Sequence, residues 1–198
     1  MDIHPIILSG RVVRLEPLSV EHAPELISAS DPSIWKYMLY GEITTEKDME
    51  GWVLDILERA KAGTDLPFAV IHLASGKAIG ATRYLDIRPQ HKGLEIGGTW
   101  YGLAYQRTGV NTECKYLLLK NAFEYLGCIR VQFKADSRND RSVAAIKRIG
   151  ASPEGIFRNH MILPDGTYRH SAYFSIVAEE WPRVKKMLEE KLGHHVEG

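Results

Sequence analysis

Between residues 66 and 126 the apolar period of the chain changes, and that change constrains the fold more than any other feature. "LPFAVIHL", from Leu66, reads as a strand, "ASGK" as a turn and "AIGATRYLDI" as a second strand, which together predict a hairpin. "GLEIGGTWY" reads as a third strand. A polar, glycine-bearing stretch follows and runs without interruption into a leucine-rich helical pattern, "YQRTGVNTECKYLLLKNAF" from Tyr105. The helix is predicted from about Thr112 to Leu126, with Cys114, Leu117, Leu118, Ala122, Phe123 and Leu126 on its apolar face.

The flanking segments fit the same frame. "RVVRLEPL" alternates Val13, Leu15 and Pro17 with Arg14 and Glu16 and predicts a first strand. "SVEHAPELISAS", with Ser19 as cap, and "DPSIWKYM", with Pro32 in the first turn, predict two helices. "TEKDMEGWVLDILERAKAG" predicts a longer one. Thr45 and Asp48 have capping-box spacing, and Met49, Trp52, Val53, Ile56, Leu57 and Ala60 share a face before Gly63 stops it. Downstream come the strand "RVQFKA" and the helix "SRNDRSVAAIKRIGA", ended by Gly150. "SPEGIFRNHMIL" and "YRHSAYFSIV" form a closing hairpin around "PDGT", and "EEWPRVKKMLEEKL" is a terminal helix. Antiparallel runs framing a central strand–helix–strand unit predict a mixed α/β (α+β) fold. With 198 residues and no repeat, linker or low-complexity segment, the expectation is one domain over residues 1–198.

Composition narrows the function classes. Lys plus Arg and Asp plus Glu number 25 each, so no basic surplus argues for nucleic acid. No apolar run approaches the ~18 residues of a membrane span. "MDIHPIILSGRVVRLEPL" lacks the basic start and apolar block of a signal peptide. Cys114 and Cys128 do not make a disulfide framework. A cytoplasmic protein with reduced thiols is expected. No Cys/His cluster has metal-ligand spacing, and His194 and His195 fall in a tail predicted to fray, so no metal is expected.

The loop itself has a physical reading. Helix N-termini expose unpaired N–H groups at the positive end of the helix dipole. Gln106, Arg107, Thr108, Gly109, Val110 and Asn111 supply successive N–H donors that can wrap an anion, and Gly109 can take positive φ. The alternative is a plain glycine turn before a helix. Neither G-x-G-x-x-G nor G-x-x-x-x-G-K-[ST] is present. Gly97-Gly98, inside a strand pattern, marks a bulge or a close backbone approach.

Gln106-x-x-Gly109-x-Asn111 resembles the Q/R-x-x-G-x-G/A loop of the GNAT acetyltransferases, with Asn in place of Gly/Ala at the sixth position. Asn tolerates left-handed backbone better than most residues. "NDRSVAAIKRIGA" resembles a helix of the same superfamily, through Asn139, Ser142, Ala145, Ile146, Arg148 and Gly150. "GVNTECK", "LEIGGTW" and the ending "GIFRNHMILPDGTYRHSAYFSIVAEEW" are similar to the branch that contains the ribosomal-protein alanine N-acetyltransferases. The resemblance covers Leu8 to Trp181.

It implies a central twisted, mostly antiparallel sheet of six or seven strands flanked by helices. It also implies acetyl-CoA as cosubstrate and an amine as acceptor, either a peptide N-terminus or a small molecule. The pyrophosphate would lie on backbone donors from Gln106 to Thr112. The pantetheine would lie along Thr99, Trp100 and Tyr101 as an added strand, with Asn139 hydrogen-bonded to it. Lys147 or Arg148 would reach the adenosine end, unless they form a solvated helix face. Glu95 would be general base, on one strand face with Gly97 and Thr99. Ser142 would hydrogen-bond the CoA thiol or a water beside it, because Ile146 stands where many relatives carry a proton-donating tyrosine. Trp35, Tyr37, Tyr40, Arg83, Tyr84, His160 and His170 would line the acceptor pocket or serve core and surface. The rival readings are a non-catalytic acyl-CoA-binding module and a phosphate-binding protein using the same loop. The closing hairpin leaves an edge strand that can pair two chains as a homodimer.

Overall fold

The computed structural model describes residues 1–193, so His194 and His195 lie outside the described residues. The strands are β1 (Leu8–Ser9), β2 (Val13–Pro17), β3 (Leu66–His72), β4 (Lys77–Arg88), β5 (Gly93–Tyr101), β6 (Arg130–Asp136), β7 (Ser152–Ile162) and β8 (Tyr168–Val177). They form one sheet in the order β1-β2-β3-β4-β5-β6-β8-β7. Every neighbouring pair is antiparallel except β5 and β6, which run parallel. The sheet has eight strands, against the six or seven expected. The addition is β1, whose two residues pair with Leu15 and Arg14 and are too few to show an alternating pattern.

Helices α1 (Ala23–Ala29), α2 (Pro32–Trp35) and α3 (Glu46–Lys61) cover one face, and α4 (Val110–Lys120), α5 (Asp140–Arg148) and α6 (Trp181–Lys191) the other. The α3 capping box forms as its spacing predicts: Asp48 N–H donates to Thr45 Oγ1, and Thr45 N–H to the Asp48 carboxylate. Period-2 patterning divides the strand side chains between two cores. Phe68, Tyr84, Leu94, Val131, Phe133 and Phe174 pack against Leu118, Leu119 and Val184. On the opposite face Ala69, Ile71, Ala81 and Trp100 pack against Leu26, Trp35, Trp52 and Ile56. This second core stops at β5. Farther along the same face, β6 and β8 carry Gln132, Lys134, Asp136, Ser171, Tyr173 and Ser175, alternating with apolar residues that face α4–α6.

Helix α4 begins two residues before the expected Thr112 and continues after Lys120 as a π-helical turn, Asn121–Tyr125. At that junction the Tyr84 hydroxyl donates to the Leu118 carbonyl at 2.6 Å and accepts from Asn121 Nδ2 at 3.2 Å. A side chain that bonds a helix carbonyl competes with the i→i−4 ladder and favours such a turn.

Candidate active site

Two irregularities in the sheet create the site. Ala81 lies opposite Trp100 and Arg83 opposite Gly97, so β5 places three residue steps against two on β4. This is the bulge predicted from Gly97-Gly98, and Gly98 takes φ +55° to make it. The extra residue reverses the facing of the strand. Before it, Leu94 and Ile96 point into the α4 core; after it, Tyr101 does so, while Trp100 enters the opposite core. Thr99 therefore leaves the face of Glu95, contrary to strict alternation, and accepts a hydrogen bond from Lys115 Nζ at 2.7 Å.

The second irregularity is the parting of β5 from β6. They pair only over Gly93–Glu95 and Arg130–Gln132, yet run on to Tyr101 and Asp136. Past Glu95 each strand presents an unpaired backbone edge to a wedge, and such edges accept an added strand-like partner.

The loop at the open end of the wedge is tied down by side chains. Gln106 Nε2 donates to the Tyr101 carbonyl at 2.9 Å, and Arg141 Nη1 donates to Gln106 Oε1 at 2.7 Å, joining the loop to α5. Thr108 Oγ1 donates to the Tyr105 carbonyl and accepts from Val110 N–H. Arg107, not Gly109, is the left-handed residue, with φ +61°. Gly109 is the α4 N-cap in ordinary helical conformation, φ −66°, because the loop completes its turn two residues earlier. A Cβ built at Gly109 would meet no atom within 4 Å, so the space over the helix N-terminus is open. Asn111 Oδ1 accepts from the Tyr101 hydroxyl at 3.2 Å, and the buried Thr112 accepts from Arg148 Nη1 at 2.9 Å.

Across the wedge, Asn139 caps α5, its Oδ1 accepting from Ser142 N–H at 3.1 Å. Ser142 is half-buried, and its hydroxyl has no hydrogen-bond partner among the described residues. Ile146 is buried in the core, and Lys147 is exposed and makes no hydrogen bond or ion pair among the described residues.

On the other face Glu95 is only 3% exposed. Its Oε2 accepts from Gln132 Nε2 at 3.0 Å and lies 3.4 Å from Lys134 Nζ. Lys134 stands over the Tyr173 ring, the Tyr173 hydroxyl is 3.4 Å from His160 Nε2, and His160 Nδ1 is 3.0 Å from Ser171 Oγ. Burial, with Lys134 and Arg169 nearby, holds the His160 imidazole below its ordinary pKa and so favours the neutral ring. Burial, then the Glu95 charge, raises the Tyr173 phenol.

Part of the α2–α3 connection roofs this face. Arg83 Nη2 donates to the Tyr40 hydroxyl at 2.6 Å, and Arg169 Nη1 donates to the Tyr37 carbonyl at 3.4 Å. The connection is thus held by β4 and by β8. Of the other expected lining residues, Trp35 belongs to an aromatic cluster with Trp52 and Trp100, and Tyr84 faces α4. His170 accepts from Asn159 N–H instead. Gln132, Lys134 and Arg169 are site-facing residues the motifs did not single out. Their signal was polar alternation within "RVQFKAD" and "YRHSAYFS".

The arrangement sets the N-terminus of α4 and a wedge with free strand edges beside a buried carboxylate. A family model described as "Acetyltransferase (GNAT) domain" matches residues 13–152. The Bacillus subtilis (strain 168) protein named "Putative ribosomal N-acetyltransferase YdaF" is 26% identical over 172 residues, covering 86% of this chain and 92% of that one. The crystal structure of a GCN5-related N-acetyltransferase from Brucella melitensis is 33% identical, with a TM-score of 0.89 over 95% of this chain and 86% of that one. Mycobacterium smegmatis RimJ in complex with CoA-disulfide shares the fold at 19% identity, with a TM-score of 0.79 over 96% of each chain.

Proposed function

Because the chain belongs to the GNAT acetyltransferase family, we propose that it moves an acetyl group from acetyl-CoA to a primary amine by direct attack of the amine on the thioester. The acceptor is a protein N-terminus or a small-molecule amine, and residues 1–198 work as one unit. The observation that carries this reading is the wedge between β5 and β6, open at the N-terminus of α4. Its fit to an extended thioester with an anionic tail rests on two features of this chain: unpaired strand edges past Glu95 and free space over Gly109. Bound there, acetyl-CoA supplies the activated acetyl group.

Within the loop from Gln106 to Thr112, the backbone N–H groups of Arg107, Thr108, Gly109, Asn111 and Thr112 would hold the pyrophosphate, helped by the positive end of α4, while the Gln106 and Val110 N–H groups are given to the Leu103 carbonyl and Thr108 Oγ1. Thr99, Trp100 and Tyr101 would bond the pantetheine arm through their main chain, and the Asn139 amide N–H groups would face it. Lys147 would screen the nucleotide end. Glu95 would take the amine proton, directly or through water. Gln132 and Lys134 both engage Oε2, which leaves Oε1 for that task. Ser142 would hydrogen-bond the departing sulfur. A thiol titrates near ~8.5, so the leaving group needs stabilisation more than a strong acid. This suits a site with Ile146 in place of a tyrosine. Cys114 and Cys128 are buried and not joined to each other, which fits a cytoplasmic setting.

The test is a thiol-release assay with acetyl-CoA and a panel of amines and N-terminal peptides. Release that depends on both acetyl-CoA and an acceptor is expected. Saturable CoA binding without release on any acceptor would overturn the transfer reading.

A further inference from the structure

Most cations facing the roofed side of the sheet have their carboxylates. Lys134 lies 3.4 Å from Glu95, and Arg83 lies 3.1 Å from Asp65. Arg138 grips Asp136 with two hydrogen bonds, at 3.0 and 2.8 Å. Arg169 differs. It is 7% exposed, on the strand face that also carries Ser171 and Tyr173, and no carboxylate among the described residues lies within 4 Å of it. Its Nε donates to Ser171 Oγ at 3.1 Å and its Nη1 to the Tyr37 carbonyl at 3.4 Å, so Nη2 has no partner among the described residues. Asp136 and Glu95 are the acids near enough to act on it electrostatically, and both are engaged by other cations. The other charged group acting on it, Arg138, is itself a cation, and His160, Tyr173 and Ser171 beside it are neutral groups. A buried guanidinium without a counter-ion is costly, and its planar fork is shaped for a carboxylate.

We propose that the acceptor supplies the missing anion: it is an amine that also bears a carboxylate, received by Arg169 under the Tyr37 end of the roof. The proposal rests on the acetyl-transfer reading and gives it a substrate class. The carboxylate can come from a free amino acid or from an acidic side chain near a peptide N-terminus. Lys134 is then left to Glu95, while Arg169 positions the acceptor from the far side.

The experiment compares acceptors that differ only in carboxylate against carboxamide: amino acids against their amides, and peptides with Glu against Gln at the second position. Thiol release should favour the carboxylate of at least one pair by about tenfold or more in kcat/KM, expressed in KM. The pair that shows the preference identifies the source. Arg169→Gln should bring that ratio to near unity while leaving the KM for acetyl-CoA unchanged, and Arg169→Lys should restore part of it. Equal use of both members of every pair, or a preference that survives Arg169→Gln, overturns the proposal. Should Arg169→Gln not fold, Arg169→Lys carries the comparison through its smaller, KM-borne loss. Calorimetric titration of the same pairs into the CoA complex separates the two readings. Absence of thiol release with carboxylate binding that Arg169→Gln abolishes sinks acetyl transfer and keeps the anion site. Absence of carboxylate binding sinks the anion site.

Discussion

Glu95 on the bulged strand β5 and Lys115, which reaches Thr99 of that strand from α4, are buried charges at its opposite faces, and they are expected to behave differently. Glu95 has a cation and an amide to hold it. Glu95→Gln should therefore fold, bind acetyl-CoA within about twofold of the parent, and turn over about a hundredfold more slowly, the usual scale of a lost general base. Steady-state kinetics with calorimetry reads both, and an unchanged kcat removes Glu95 from the reaction. Among the described residues Lys115 has only the Thr99 hydroxyl as a hydrogen-bond partner, and burial lowers its pKa from 10.5 to about 8. Between pH 8 and 10.5 the unfolded chain keeps a proton that the folded chain has released. Its contribution to stability therefore rises with pH across that window, and the penalty is full below it. Replacing it in Lys115→Met should shift the stability difference by about 2 kcal/mol in the parent's favour between pH 7 and pH 9.5. Denaturant unfolding of both proteins at the two pH values checks this. A pH-independent difference would mean that the amine is not perturbed.

Among the elements, α4 has two jobs, one at each side of its first turn. Glu113 accepts from the N–H groups of Arg11, Val12 and Val13 at 2.7–2.8 Å, fastening the β1–β2 turn to the helix. Gly10 permits the approach, since a Cβ there would collide with the Glu113 carboxyl. Glu113→Gln should cost about 3 kcal/mol, a melting temperature roughly 10 °C lower by calorimetry, because buried N–H donors lose a charged acceptor. A shift within 2 °C would make the clamp incidental. Gly109, four residues earlier, has no neighbour to displace and no unusual φ. Gly109→Val should then keep the melting temperature while weakening acetyl-CoA binding by about tenfold or more, since its side chain fills the space assigned to the phosphates. Unchanged affinity would move the pyrophosphate elsewhere. The helices and long strands were legible because their apolar periods span several turns or pleats. The capping box at Thr45 and the bulge at Gly97-Gly98 were legible from local chemistry. The exact start of α4 and the left-handed Arg107 were not, because several residues of a polar loop can host the same turn.

At the scale of the whole molecule, the proposed site lies where the sheet fails to be regular. The order of strands and helices followed from the sequence, and with it the face on which Glu95 lies. The parting of β5 from β6 did not, since no residue pattern distinguishes a strand that pairs throughout from one that pairs over three residues. The facing of Thr99 was lost for a related reason: one extra residue in a bulge reverses alternation. The roof held by Arg83 and Arg169 joins segments 43 and 132 residues apart and has no local signature. A ligand seated in the wedge would bridge β5, α4 and α5 and stabilise the fold by mass action. The measurement that tests this most directly is calorimetric titration of acetyl-CoA into the protein. Saturable one-to-one binding, with a melting temperature that rises with acetyl-CoA concentration, is the result predicted. No heat and no shift at millimolar acetyl-CoA would show that the wedge and the loop from Gln106 to Thr112 are not a CoA site.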